Sequence, residues 1–317
     1  MPMNSIQFQH GLSLAEFLEQ FGTEPQCEAA LERTRWPDGF RCPSCGCASY
    51  YPLQVGIHPT YQCCNCRLQT SLIAGTLFQS THLPLTVWFL AIYLIGEAKT
   101  GISSLALKRQ LGVSYRTAWL IQHKLMQAMA ERDSNYVLEG RILIDDAYLG
   151  GERVGGKRGR GSENKVPFLA AISLDPDGHP VYSKVAPVPS FTRSAISDWA
   201  APRLASGCSV VSDGLACFAG VTDVGCLHQP VVVGTRKPKD LPQFYWLNTI
   251  LANLKTALTG TYHALNFAKY GLRYLAAFVY RFNRRFHLDT LPMQLFDAAV
   301  TSRPHPERLT RSVGVYC

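Results

Sequence analysis

Arg141-Ile-Leu-Ile-Asp145-Asp146 reads as a short apolar strand that ends in two acids, and the fold is built outward from it. Pro167-Phe-Leu-Ala-Ala-Ile-Ser-Leu174 and Val181 to Val188 are two further strand candidates, so the three suggest an antiparallel meander. A helical stretch from Ser190 to Leu204 follows, then a strand Cys208-Ser-Val-Val-Ser-Asp213, and later a long helical region from Gln243 to Phe286. Sheet first with helices around it indicates a layered α+β or α/β domain. Two strands that each end in aspartate, Asp145 and Asp213, bring carboxylates to one edge of a sheet. Hard divalent cations such as Mg²⁺ take such oxygens, and paired ions serve phosphoryl transfer. The alternative for a lone strand-end Asp is a turn or cap, and Asp213-Gly214 is a common turn dipeptide.

Ahead of this domain, Glu131-Arg-Asp-Ser-Asn-Tyr136 is polar and unpatterned and reads as a linker. From Leu85 to Met129 apolar residues recur at spacings of three and four, which fits two or three helices. Within them, Ile102-Ser-Ser-Leu-Ala-Leu-Lys-Arg-Gln-Leu-Gly112-Val-Ser114 reads as a helix, a glycine turn and a serine cap that opens another helix. That is the pattern of a helix-turn-helix, although any αα-hairpin with a glycine turn has it. The second helix carries Tyr115, Arg116, Gln122, His123 and Lys124, of which Arg116 and Lys124 are candidates for DNA contact.

Cys42-Pro-Ser-Cys45 and Cys63-Cys-Asn-Cys66 are two CxxC units separated by 17 residues, inside the spacing window of zinc sites. Each turn aims two thiolates at one point, so Cys42, Cys45, Cys63 and Cys66 can close a tetrahedral sulfur cage of the structural kind. Cys47 and Cys64 fall outside the spacing and read as spare thiols. A redox dithiol is the alternative, but no βαβ pattern surrounds either unit. Trp36, Phe40, Arg41, Tyr61 and Arg67 around the cage suit either DNA or a miniature core.

The chain has 317 residues, 47% hydrophobic, enough for a core of ordinary density and two or three domains. A formal charge of +8 and a pI near 8.9 favour a polyanionic partner. Clustered cysteines and the acids within Met1 to Gly22 point to a cytoplasmic protein without a secretory signal. Leu83 to Ile95 is too short to span about 30 Å of hydrocarbon as a helix and reads as a buried one. Gly150 to Gly161 is a glycine-rich basic loop whose Arg153, Lys157, Arg158 and Arg160 suit phosphate, or form a solvated hairpin tip. Arg281, Arg284 and Arg285, with Arg273 upstream, make a second basic cluster that helical phase would partly scatter.

Taken together, Arg35-Trp-Pro-Asp-Gly-Phe-Arg-Cys-Pro-Ser-Cys, Gly75-Thr-Leu-Phe, Leu83-Pro-Leu-Thr-Val-Trp88, Ile144-Asp-Asp-Ala-Tyr-Leu-Gly-Gly151, Gly260-Thr-Tyr-His263 and Tyr280-Arg-Phe-Asn-Arg-Arg285 carry a resemblance. The chain resembles the DDE transposases of bacterial insertion sequences, in the group with a zinc ribbon ahead of an RNase H-like, ISXO-type transposase domain. The resemblance implies a multidomain fold: a helical lead-in at 1–34, a zinc ribbon at 35–78, a helix-turn-helix segment at 79–132, an α/β RNase H-like catalytic domain at 137–290 and a C-terminal tail at 291–317. It implies that Asp145 and Asp213 are the first two acids holding two Mg²⁺ ions. It further implies cleavage at terminal inverted repeats, strand transfer into target DNA, and a homo-oligomer on paired ends of double-stranded DNA, with no membrane association.

The third position departs from the pattern. Most DDE enzymes place a glutamate there with Lys or Arg seven residues on; here the spacing is kept by Asn248 and Lys255, and Asn248 lies 35 residues beyond Asp213. An amide oxygen can ligate Mg²⁺ without adding charge. Asn253 is a rival for the role. A domesticated, non-catalytic DNA-binding regulator is the alternative reading of the whole chain, and a zinc-ribbon transcription factor a third.

Overall fold

The computed structural model describes residues 9–150, 165–237, 240–262 and 265–312. The chain divides into two compact units, one of Met1–Arg132 with Arg284–Ser312 and the other centred on Asp133–Asn283. Among the described residues no helix is long and apolar enough to cross a membrane.

The first unit starts with two short helices. α1 (Leu14–Phe21) is opened by a capping box: Ser13 Oγ accepts from the Glu16 N–H while the Glu16 carboxylate accepts from the Ser13 N–H. Its Phe17 stacks on Tyr93 and its Phe21 tilts against Phe89. α2 (Glu24–Arg35) leads into a three-stranded antiparallel sheet of β1 (Tyr50–Gln54), β2 (Pro59–Cys63) and β3 (Gln69–Ser71). Trp36, Phe40, Tyr50 and Tyr61 meet edge-on or stacked with ring centroids 4.9–5.4 Å apart, and Phe40 and Tyr61 are buried. For these rings the miniature-core reading holds, because so small a sheet has few other apolar groups to exclude water. Arg41 and Arg67 remain exposed.

α3 (Leu85–Glu97) is apolar on nearly all sides and is enclosed, with Trp88, Phe89, Ile92 and Ile95 buried. α4 (Ser104–Leu111) is capped by Ser103, ends at Gly112 in the left-handed conformation (φ +67°), and hands over to α5 (Tyr115–Ser134), where Ser114 Oγ accepts from the Thr117 N–H. α5 runs through Ser134, so most of the segment expected as a linker is helical instead. Its polar side chains find partners: Glu131 pairs with His305, and the Asp133 carboxylate accepts from Asn283 Nδ2.

A second correction concerns the residues expected as a C-terminal tail. α9 (Leu291–Thr301) buries Leu291, Leu295, Phe296, Ala299 and Val300 and packs on α2 and α3. Phe296 lies 4.5 Å from the Phe89 ring centroid, and the Ala299 carbonyl accepts from the Leu77 N–H. This segment belongs to the core of the first unit. A last turn, α10 (Glu307–Arg311), follows.

In the second unit β4 (Arg141–Leu149), β5 (Val166–Leu174) and β6 (Pro180–Pro187) form the expected antiparallel meander. After α6 (Arg193–Ala200), β7 (Ser209–Ser212) and β8 (Leu227–Pro230) join parallel to β4, giving the order β6-β5-β4-β7-β8. One face of the sheet buries Ile142, Ile144, Leu169 and Ala171 against Ile196, Trp199, Phe218 and Val221. The alternate residues Leu143, Phe168, Ala170 and Val211 are buried too. Two helices complete the unit. α7 (Tyr245–Thr261) packs on β4 and β5, and α8 (Phe267–Asn283) lies along β6. The expected long helical region is therefore two helices with Tyr262 between them.

Candidate functional site

Strand register sets the acidic centre. Arg141, Ile142 and Leu143 of β4 pair with Ser209, Val210 and Val211 of β7 at a constant offset of 68 residues, and that offset carried two residues further sets Asp145 beside Asp213. Carboxylate oxygens of Asp145, Asp146 and Asp213 all come within 4.8 Å of one another. Asp145 Oδ1 accepts from the Asp146 N–H at 2.8 Å, and Asp213 Oδ1 accepts from the Leu215 N–H at 3.0 Å. The turn role foreseen for Asp213-Gly214 is thus real, and it leaves the other Asp213 oxygen for a ligand. Gly214 takes φ +85° at that turn with the Val232 backbone 3.4 Å from where a Cβ would sit, which favours glycine.

The electrostatics of this cluster call for positive charge. Burial, then the neighbouring Asp213 and Asp146 charges, push the Asp145 carboxyl up to about 7, with the Asp146 N–H and Lys255 pulling the other way. A proton or a cation relieves the crowding. The donor set is all carboxylate oxygen, which suits a hard divalent cation over a soft one.

α7 faces the same cleft. Asn248, Leu251, Ala252 and Lys255 recur at positions i, i+3, i+4 and i+7, and together with Asp145, Asp146, Tyr148 and Lys165 they line an open cleft of about 650 Å³. The buried stripe of Leu247, Leu251, Leu254 and Leu258 orients the helix so that Asn248 and Lys255 lie on one face, two turns apart. Asn253 is exposed on α7 and is not among the lining residues. Lys165 was missed by sequence reasoning. The signal for it lay in the strand pairing, since Val166 pairs with Leu149 and so returns Lys165 to the end of β4 beyond the acids.

In the first unit Cys42, Cys45, Cys63 and Cys66 bring their sulfurs within 4.8 Å of one another, with Cys42 to Cys66 and Cys45 to Cys63 both at 3.5 Å. The two turns repeat one backbone pattern. The Cys42 N–H donates to the Cys47 carbonyl and Gly46 N–H to Cys42, as the Cys63 N–H donates to Leu68 and Arg67 N–H to Cys63. Gly46 and Arg67 hold the equivalent positive-φ position, at +72° and +62°. Four sulfurs so arranged fit a structural zinc ion. Cys47 and Cys64 lie outside the set.

The candidate DNA-contacting cations divide. Arg116 is largely exposed, with a bidentate pair to Glu307. Lys124 is buried at 8% exposure, its ammonium 5.8 Å from the Trp88 ring centroid and its Nζ donating to the Leu77 carbonyl. Arg284 is buried and donates to Gln294. Gln122 and His123 are buried as well, the first donating to the Ile102 carbonyl and the second stacked on Trp119. The expectation that Lys124 and Arg284 contact DNA is corrected by their burial, because α5 and the α8–α9 connection turn those side chains inward. Arg285 is half-buried with its guanidinium over Phe286. Arg153, Lys157, Arg158 and Arg160 lie outside the described residues.

Comparison with known proteins matches residues 22–69 to the transposase zinc-ribbon domain and residues 137–283 to the ISXO2-like transposase domain. A protein of Halobacterium salinarum, described as an uncharacterized protein in transposable element ISH50, is 27% identical over 219 residues, covering 63% of this chain and 71% of the relative. The matched segments enclose the carboxylate cluster and the sulfur cage, so the chain joins a stretch similar to the transposase zinc-ribbon domain to one similar to the ISXO2-like transposase domain.

Proposed function

We propose that this chain is the transposase of an insertion sequence, a Mg²⁺-dependent polynucleotidyl transferase of the DDE class in which asparagine stands at the third position. The observation that carries the reading is the meeting of Asp145, Asp146 and Asp213 at one end of the sheet, with Asn248 and Lys255 of α7 lining the cleft that Asp145 and Asp146 also line. The order β6-β5-β4-β7-β8, a meander followed by two strands parallel to its first, supports an RNase H-like domain.

In this reading Asp145 and Asp213 hold the cations, and Asn248 contributes a neutral oxygen. When bound, two Mg²⁺ ions supply Lewis-acid activation and stabilise both the attacking and the departing oxygen of a phosphodiester. Lys255 pairs with a non-bridging phosphate oxygen and fixes the DNA strand against the acids. Water attacks at each end of the element to release a 3′-hydroxyl, which then attacks target DNA. The zinc ribbon and the α4–α5 helix-turn-helix hold the terminal inverted repeats, with Arg41, Arg67 and Arg116 on exposed surface. A homo-oligomer assembles on the paired ends.

Nicking of a terminal-repeat duplex in Mg²⁺ tests the assignment. Asp213→Ala and Asp145→Ala are expected to abolish cleavage while leaving gel-shift binding within a few-fold, since the grip lies elsewhere. Continued cleavage by Asp213→Ala would remove that residue from the centre. The missing third carboxylate favours one rival, a domesticated DNA-binding regulator, which requires binding without cleavage from the wild-type chain.

A further inference from the structure

His58 occupies the turn between β1 and β2 of the ribbon and is only 4% exposed, yet neither ring nitrogen has a hydrogen-bond partner among the described residues. The Glu24 carboxylate, 3.8 Å from Nδ1, and the Leu83 carbonyl both attract the ring, but neither meets hydrogen-bond geometry with it. Leaving a buried imidazole without such a bond is unfavourable, so a ligand that satisfies it is favoured. Glu24 and Glu28, one helical turn apart on α2, face the same spot, and the three side chains bring ligand atoms within 4.8 Å of one another.

The carboxylates are also held in place. α3 begins at Pro84 without a side-chain cap, and the Glu24 carboxylate supplies one: Oε1 accepts from the Leu85 N–H at 2.7 Å and Oε2 from the Thr86 N–H at 3.1 Å. Oε2 also accepts from Thr86 Oγ1 at 3.3 Å, whereas Oε1, the oxygen nearer His58 Nδ1, accepts only from Leu85 among these and keeps a second lone pair. Two adjacent carboxylates repel, and that repulsion, after burial, raises the Glu28 carboxyl. A neutral imidazole with two carboxylates is a nitrogen–oxygen donor set for a first-row divalent ion, distinct from the all-sulfur cage.

We propose that Glu24, Glu28 and His58 form a second zinc site, with water completing the coordination, which ties α2 to the ribbon hairpin and, through the Glu24 cap, to the start of α3.

The full-length chain, loaded with excess Zn²⁺ and desalted, should hold two zinc ions. His58→Ala and the near-isosteric Glu28→Gln should each lower this to one. Titration of the metal-free wild type with Co²⁺ provides a readout that needs no variant: one equivalent brings intense thiolate-to-cobalt charge transfer, and a second brings only weak ligand-field bands. His58→Ala should remove the second response and leave the first intact. A single zinc in the wild type under excess metal would overturn the proposal. So would two zinc ions retained by both variants, or loss of the charge-transfer bands in His58→Ala, which would assign the histidine to support of the sulfur cage.

Discussion

At Asp145 a carboxylate is held among buried strand residues and beside two other acids, and its pKa stands at about 7 against an unfolded value near 4. The folded state therefore binds the proton more tightly than the unfolded chain does. Stability from this group is fully present below about pH 4 and is lost as pH rises towards 7. Asp145→Asn removes the charge and should stabilise the second unit at pH 8 without added Mg²⁺, by about 1–2 kcal/mol. Thermal melts of the two proteins test this, and equal melting temperatures would refute it. Added Mg²⁺ should narrow the difference by stabilising the wild type alone. Asn248 gives the second prediction at this scale. Because a hard cation needs oxygen more than that particular charge, Asn248→Ala should lose most single-turnover cleavage, Asn248→Asp should keep a measurable fraction, and Asn253→Ala should be mild. The reverse ranking would assign the role to Asn253. The acids were legible because a strand end announces itself as an apolar run that stops. The inward turn of Lys124 was not, since a cation on an amphipathic helix shows its solvent face only once Trp88 and the Leu77 carbonyl are in place beside it.

Among the elements, the ribbon was the most legible, because metal ligation demands fixed residue types at fixed spacing and each CxxC turn repeats one backbone pattern. β8 was invisible by contrast. Leu-His-Gln-Pro has no apolar alternation, and only pairing with β7 makes it a strand. The polar end of α5 reads as a linker for a related reason: its helical state rests on partners far along the chain, including Glu131 with His305. Burial also separates the cations available to DNA from those that are not. Arg41 and Arg67 are exposed on the ribbon, whereas Lys124 is enclosed. Removing one cation that neutralises a phosphate lowers the slope of log affinity against log salt by roughly 0.9. Arg41→Ala and Arg67→Gly should each reduce that slope by about one, while Lys124→Met should leave it unchanged. The Arg67→Gly choice also releases the positive φ of +62°, so weakened binding in that variant would not stem from an unfolded ribbon. A slope moved by Lys124→Met and by neither arginine would put the DNA on another face.

At the scale of the whole chain, the order of residues along the sequence is not the order of the folded units. The first unit takes its last helices from Arg284–Ser312, beyond the entire second unit. The apolar run Leu85 to Ile95 shows why the chain returns. A helix that is hydrophobic on nearly all sides cannot be covered by α1 and α2 alone, and α9 brings Leu291, Leu295 and Phe296 to it. The apolar helix itself is legible in the sequence, but no local sign shows that its cover lies about two hundred residues later, because nothing in helical periodicity names a partner. The arrangement makes a prediction that a dispensable tail would not. Phe296 is 1% exposed, with the Phe89 ring at 4.5 Å and the Phe78 ring at 6.3 Å. Phe296→Ala should cost the first unit about 3–5 kcal/mol, lowering its melting temperature by on the order of 10 °C. The loss should fall on the transition that zinc chelation also shifts, and the Mg²⁺-sensitive transition of the second unit should stay where it is. Differential scanning calorimetry resolves the two. A melt unchanged by Phe296→Ala would return α9 to the status of an appendage, and a fall confined to the Mg²⁺-sensitive transition would assign that helix to the second unit.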